Sequence, residues 1–325
     1  MIFDSINPYT NTVVQQFTGA PAAETAQKLD KAEQAFASWR EVPLEQRAAL
    51  MAKAGAVLRK NVETYARSIT LEMGKPIQES RAEVTKCAWV CDYYAEHAAE
   101  FLATEVIATD AQQSFVRHDP IGAVLAIMPW NFPFWQVFRF AAPTLIAGNV
   151  GLLKHAPNVF GSAQMIEEVF TLAGFPKGVF QNLIVHHDRT EKIIENNVVK
   201  AITLTGSGRA GSAVAEIAGR NLKKSLLELG GSNAFIVWED ADIDKAVKTA
   251  ITARMMNCGQ SCIAAKRFIL LEGIYDEFVE KFVKAVKDLK DGDPLNDETK
   301  IGPMARKDLA DELHRQVNES VALGA

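Results

Sequence analysis

The residues best able to do chemistry lie in a few short stretches. Gly259-Gln260-Ser261-Cys262 sets a thiol behind a glycine and small polar residues, in a loop between a helical pattern ending near Asn257 and a strand-like run at 268–271. A thiol so placed is a candidate exposed nucleophile; against that stands the ordinary behaviour of free cysteine as a small buried apolar group. Leu226-Leu227-Glu228-Leu229-Gly230-Gly231 sets a carboxylate among leucines. Partly desolvated, it suits a general base, and the plain alternative is an outward glutamate on an edge strand. Gly206-Ser207-Gly208-Arg209-Ala210-Gly211 reads as a glycine turn opening a helix, where backbone N–H groups and the helix dipole favour a phosphate. Such turns also simply join strands to helices. Lys154 closes a strand-like run, within reach of a ribose or phosphate if it is not merely solvated.

The elements around these groups must bring them together. Residues 1–20 read as a hairpin turning at Asn7-Pro8-Tyr9-Thr10-Asn11-Thr12. Apolar residues at spacings of three and four predict a helix from Ala22 through Trp39 and a second at 44–61. A third follows Gly74-Lys75-Pro76, with Val84, Cys87, Cys91, Tyr94, Ala98 and Phe101 on one stripe. Cys87 and Cys91 then belong to a buried face, because two thiols one turn apart without further His or Cys make a poor metal site. The polar stretch 104–119 holds a short exposed strand at 114–117, an arm able to pair with another subunit.

Beyond it strands at 122–128, 151–154, 180–185 and 201–205 alternate with helices at 138–147, 161–172, from 190, and at 210–218. This alternation predicts an α/β fold with a doubly wound parallel sheet, whose ligands bind past the carboxyl ends of the strands. Pro129-Trp130-Asn131-Phe132-Pro133, Lys154-His155-Ala156-Pro157 and Gly206-Ser207 all fall at such ends. A strand at 234–237, a helix from Ile243 and an amphipathic helix through Ile274, Phe278, Phe282, Val286 and Leu289 build a second α/β domain. The expected division is 1–228 and 229–325.

Composition narrows the function. The 325 residues exceed the usual single-core size, and 35 Lys+Arg against 40 Asp+Glu give a charge of -5 with no basic block, which argues against a nucleic-acid surface. No apolar leader opens the chain, and its most apolar stretch, 140–153, is interrupted by Pro143, Gly148 and Asn149, so neither an export signal nor a membrane span is expected. Four cysteines in such a length make no disulfide framework and fit a reducing cytoplasm. His186-His187-Asp188 lacks a metal-ligand frame, so no metal is expected.

Taken together and in order, Pro129-Trp130-Asn131-Phe132-Pro133, Lys154, Thr205-Gly206-Ser207 with Gly211, Glu228-Leu229-Gly230-Gly231 and Gly259-Gln260-Ser261-Cys262 resemble the aldehyde dehydrogenase superfamily. Leu71-Glu72-Met73-Gly74-Lys75-Pro76 and Gly302-Pro303 extend the resemblance along the whole chain. It implies that Cys262, as thiolate, attacks an aldehyde carbon while the Asn131 side-chain amide and the Cys262 backbone N–H hold the oxyanion. Hydride then passes to a nicotinamide, and Glu228 activates the water that hydrolyses the thioester. The resemblance further implies that the first domain binds the cofactor. Trp130 and Lys154 would contact its sugar and phosphate region and Ser207 its pyrophosphate, with Met128, Pro129 and Pro157, then Gly206, Gly211 and Leu229, completing the contacts.

One position departs from the family pattern. Many relatives carry, three residues after the lysine, a glutamate that accepts both hydroxyls of the adenosine ribose; here Pro157 stands there. Nothing then repels a 2′-phosphate, so the expected cofactor is NAD or NADP. Arg139, eight residues beyond Asn131, stands where succinate semialdehyde dehydrogenases bind the substrate's distal carboxylate, and a planar guanidinium suits that group. A helix-surface salt bridge is the plainer role. A second arginine, often found six residues before the nucleophile, is replaced by Met256, which leaves the carboxylate pocket half-built or completed differently. The bacterial succinate semialdehyde dehydrogenase branch shares Lys154-His155-Ala156-Pro157-Asn158, and the expected partners are a small aldehyde substrate and further copies of the chain, as dimer or tetramer. Cys258, four residues before Cys262, raises an inactivating disulfide against simple packing.

Two other classes stay in view. A thiol hydrolase or acyltransferase would use Cys262 without the nucleotide-binding strand ends, but no histidine is placed as its base and no Gly-x-Ser-x-Gly elbow exists. A non-catalytic binding protein on this fold would tolerate loss of Cys262, Glu228 or Asn131. The resemblance also implies further strands past Ala325, so the chain is expected to be a fragment ending inside the catalytic domain.

Overall fold

The computed structural model describes all residues, 1–325. β1 (Ile2–Asn7) and β2 (Thr12–Thr18) form the predicted hairpin, followed by α1 (Ala22–Trp39), α2 (Leu44–Lys60), α3 (Val62–Met73) and α4 (Ile77–Phe101). Helix α3 adds a helix to those the sequence predicts. Asn61, at φ −114° and ψ 22°, interrupts α2, and the chain re-enters helix at once with Tyr65, Ala66, Ile69 and Met73 buried on one face. The arm is an antiparallel pair, β3 (Glu105–Val106) and β4 (Phe115–Val116), with all four residues exposed.

The alternating region comprises β5 (Ala123–Met128), α5 (Trp135–Ile146), β6 (Val150–His155), α6 (Phe160–Leu172), β7 (Phe180–Asn182), α7 (Thr190–Glu195), β8 (Val199–Thr205), α8 (Gly208–Arg220) and β9 (Lys224–Glu228). After it come β10 (Asn233–Val237), α9 (Ile243–Met255), a non-helical turn (Met256–Gly259), β11 (Ala265–Leu270), α10 (Glu272–Lys287) and α11 (Lys307–Ala322). No helix is long and apolar enough to cross a membrane. The chain divides into two compact units. The first gathers Met1–Ser5, Gln15–Ala66 and Arg81–Leu229, and the second Ile6–Val14, Arg67–Ser80 and Gly230–Ala325.

In the first unit five parallel strands run in the order β7-β6-β5-β8-β9. The chain winds outward from β5 to β7, then returns to place β8 on the other side of β5. The winding therefore reverses between β5 and β8, the point where sheets of this kind bind ligands. Helices cover the sheet, so β6 is buried along its whole length, and its sequence reads as a continuous run instead of an alternation. Phe134, Phe138 and Phe170 stack beneath it at centroid distances of 6.2 and 5.3 Å. Each fully buried phenyl ring contributes about 1.5–3 kcal/mol.

The second unit is built on the parallel pair β10-β11, packed by α9 and α10 around Val237, Val247, Ala250, Ile274 and Phe278. Two motifs distant in sequence meet there at backbone contact. A Cβ added to Gly302 would lie 2.0 Å from the Gly74 carbonyl oxygen, so no other residue fits without displacing main chain.

Candidate active site

The register of the sheet sets out the first unit's candidates. Met128 lies opposite His155, Ile127 opposite Leu204, and Thr205 opposite Glu228. One row across the carboxyl edge thus reads His155, Met128, Thr205, Glu228, with those side chains on one face and Lys154, one residue earlier, on the other. Helix α5 covers the first of these faces. Arg139 Nη2 donates to Thr205 Oγ1 at 3.3 Å, and a cavity of about 540 Å³ is lined by Met128, Gln136, Arg139, Thr203 and Glu228. Arg139 is half-buried and makes no salt bridge, so the helix-surface ion pair is not its role.

Helix α5 is held at both ends by side chains from other helices. Glu83 of α4, buried, accepts the N–H groups of Phe134 and Trp135 at 2.8 and 2.9 Å on one carboxylate oxygen. A carboxylate there satisfies two donors at the helix start and complements the dipole. At the other end Trp39 Nε1 donates to the Leu145 carbonyl at 3.0 Å and Arg47 Nε to the Ile146 carbonyl at 2.7 Å. Arg47 is buried in doing so, which lowers its pKa from the ordinary value.

At the end of β6, Lys154 is buried, and burial lowers its pKa. This corrects the default expectation of a solvated lysine: β6 lies between two strands under helices on both faces. His155 is fully buried and pushed down to about 4, by burial first and by the Lys154 charge as well. Its Nδ1 accepts from the Ala156 N–H at 2.9 Å, so its Nε2–H donates to the Pro133 carbonyl, also at 2.9 Å. The ring thereby ties the Pro129-Trp130-Asn131-Phe132-Pro133 turn to the end of the neighbouring strand. Pro157 begins a short 3-10 turn, Pro157–Val159.

At the end of β8, the Gly206 N–H donates to the Glu228 carbonyl at 2.9 Å. Ser207 caps α8, its hydroxyl oxygen accepting from the Ala210 N–H at 3.2 Å. The N–H groups of Gly208 and Arg209 then have no acceptor within the helix. A Cβ on Gly208 would touch nothing within 4 Å, whereas one on Gly211 would meet Leu229 Cδ2 at 2.6 Å. Gly211 thus lets α8 close onto Leu229. Open space and free donors at the start of a 13-residue helix, at the carboxyl edge that also carries the buried Lys154 two strands away on β6, fit a dinucleotide pyrophosphate.

In the second unit Cys262 is half-buried in a turn before β11. Lys266 Nζ donates to the carbonyls of Cys262 and Gly231, both at 2.7 Å, and Arg267 Nε to that of Ser232 at 3.0 Å, so the 230–232 segment is fastened to the cysteine loop. Cys258 is unpaired; its Sγ accepts from the Gly302 N–H at 3.2 Å, and burial pushes its thiol up to about 11, against the smaller opposing effect of that N–H. It is a packed, bonded thiol.

Residues 1–325 match the sequence profile of the aldehyde dehydrogenase family. The chain belongs to the aldehyde dehydrogenase family. Among its relatives, a protein of Synechocystis named probable succinate-semialdehyde dehydrogenase [NADP(+)] is 50% identical over 325 residues, covering 100% of this chain and 72% of the relative. The Escherichia coli succinate semialdehyde dehydrogenase [NAD(P)+] Sad is 49% identical over 321 residues, 99% of this chain and 70% of that one. The crystal structure of succinic semialdehyde dehydrogenase from Streptococcus pyogenes in complex with NADP+ superposes with a TM-score of 0.97 at 38% identity, over 99% of this chain and 71% of that one.

Within this aldehyde dehydrogenase the expected burial of Glu228 is not found. It ends the edge strand β9, whose outer side has no neighbouring strand, and its side chain is exposed on the cavity wall. The structure gathers Met128, Arg139 and Glu228 on one cavity, and Gly206, Ser207, Gly211 and Leu229 around the start of α8. Glu83, His155 and Lys266 were given no role in the sequence. Only Glu83 left a signal there: it sits one position before Val84 and the apolar stripe that continues through Cys87 and Cys91, where a charged residue needs a buried partner.

Proposed function

We propose that this aldehyde dehydrogenase oxidises succinate semialdehyde to succinate with NADP or NAD. The observation that carries the substrate is Arg139, whose guanidinium is half-buried on α5 and lines the same cavity as Gln136 and Glu228. A half-buried fork of donors without a carboxylate partner suits a carboxylate at the far end of a short aldehyde. The names of the Synechocystis and Escherichia coli relatives point the same way.

The Cys262 thiolate forms a C–S bond to the aldehyde carbon as the carbonyl π pair moves onto oxygen, where the Asn131 amide and the Cys262 N–H donate to it. NAD(P), when bound, accepts the hydride lost by that carbon. Glu228, reached by water, takes a proton from the water molecule that adds to the thioester, and the Cys262 sulfur leaves with the C–S electron pair. Lys154, Trp130 and the first turn of α8 at Ser207 hold the dinucleotide, with Met128, Pro129, Gly206, Gly211 and Leu229 shaping its bed. Pro157 offers no carboxylate to a 2′-phosphate, which supports NADP beside NAD. The first unit serves as the dinucleotide-binding domain and the second as the nucleophile domain. The exposed β3–β4 arm supports assembly into a dimer or tetramer, and four unpaired cysteines support a reducing cytoplasm.

Arg139→Ala tests the substrate. The KM for succinate semialdehyde should rise on the order of tenfold to a hundredfold, as expected for losing a charge-assisted bidentate pair. The KM for a neutral aldehyde of equal length should stay within twofold, and equal effects on both would reject the assignment.

A further inference from the structure

The backbone leading into the Cys262 loop takes a costly path. Asn257 (φ 60°, ψ 34°), Cys258 (φ 55°, ψ 33°) and Gly259 (φ 73°) are three successive left-handed residues, only the last of them a glycine. Side chains resist this region, so surrounding structure must hold the turn in place. Asn257 is fully buried, and its N–H lies beyond the end of α9 at Met255. That donor is accepted by Glu79 Oε2, from the first turn of α4, at 2.9 Å. From Asn257 a chain of bonds runs on toward the cysteine. Its side-chain Nδ2 donates to the Gln260 carbonyl at 3.1 Å, its carbonyl accepts the Gln260 N–H at 3.0 Å, and Gln260 Oε1 accepts the Ala305 N–H at 3.0 Å. Cys262 follows two residues later.

We propose that Glu79 is a positioning residue for the nucleophile. Its carboxylate oxygen pins the Asn257 N–H and so fixes the left-handed turn that leads into the Cys262 loop. The inference rests on Cys262 being the nucleophile of the proposed reaction. What it requires of residue 79 is an oxygen acceptor at the full reach of a glutamate side chain. Negative charge is not required, and this separates the clamp from a general structural or electrostatic role.

Two conservative variants of the full chain test it. Glu79→Gln keeps an oxygen at the same reach and loses the charge; Glu79→Asp keeps the charge and withdraws the oxygen by one methylene. The measurements are single-turnover NADPH formation with succinate semialdehyde, KM for aldehyde and cofactor, and thermal unfolding. Glu79→Gln should retain the single-turnover rate within threefold. Glu79→Asp should lose on the order of tenfold or more, with both KM values within twofold of the parent and no greater loss of thermal stability than Glu79→Gln shows. The reverse order, equal losses, or no loss in either variant would overturn the clamp. Cys262→Ser separates the two levels of argument: turnover surviving that change defeats the assignment of the nucleophile, whereas Cys262-dependent turnover unaffected by Glu79→Asp defeats the clamp alone.

Discussion

The buried ring of His155 makes a pH dependence that can be worked from the structure. Folded, it is neutral, donating from Nε2 to the Pro133 carbonyl and accepting at Nδ1 from the Ala156 N–H, and burial pushes its pKa from 6.5 to about 4. In the unfolded chain the ring takes up a proton near its ordinary value. Between 6.5 and about 4 the unfolded state therefore binds a proton that the folded state refuses. The contribution to stability is complete above pH 6.5 and is lost as the pH falls toward 4. The loss reaches about 2 kcal/mol at pH 5 and about 3 kcal/mol near pH 4. His155→Gln removes the titration while keeping an amide donor for Pro133. Urea unfolding of the two proteins, followed by the fluorescence of Trp39, Trp89, Trp130 and Trp135 in the first unit, isolates the effect of the ring, because the carboxylates common to both cancel in the difference. The wild-type advantage should be constant above pH 7 and smaller by about 2 kcal/mol at pH 5, equivalent to about 4–8 °C in Tm for a unit of this size. A difference flat within about 0.5 kcal/mol between pH 7 and pH 5 would refute the burial of a neutral ring.

Other consequences follow from single contacts. Pro157→Glu restores a carboxylate beside the adenosine ribose and should lower kcat/KM for NADP on the order of tenfold while leaving NAD within threefold; unchanged NADP kinetics would count against that placement. Gly302→Ala drives a Cβ into the Gly74 carbonyl, 2.0 Å away, and should destabilise the second unit by about 2–4 kcal/mol in thermal or denaturant unfolding. A variant as stable as the parent would show that the two backbones can part. Lys266→Met removes both 2.7 Å bonds that fasten Gly231 to the cysteine loop. Because the ammonium is exposed, stability should fall by no more than about 1 kcal/mol, while kcat falls severalfold; an unchanged kcat would leave that lysine without a part in holding the loop.

Much of this molecule was legible in its sequence because the signals were local. Strand and helix periods gave the alternation from β5 to β9, and that alternation alone placed Asn131 and Ser207 past strand ends, where a parallel sheet exposes its loops, and Lys154 at the end of a strand. The order of the motifs gave the family. Local signals failed where a residue's surroundings come from another part of the chain. The leucines around Glu228 predicted burial, yet burial in a strand depends on having a neighbour on each side, and β9 has one only on its inner side. Lys154 looked like a surface charge until β5 and β7 flanked it. Glu79, Glu83, His155 and Lys266 act on main-chain groups 178, 51, 22 and 35 residues away. The sequence by itself determined which chemical groups exist and at which strand ends they fall, since both follow from the chain's own periodicity. Only the tertiary structure decided how those groups are held and how much water reaches them, because buried N–H and carbonyl groups take whatever partner the packing brings, and that partner need not be near in sequence.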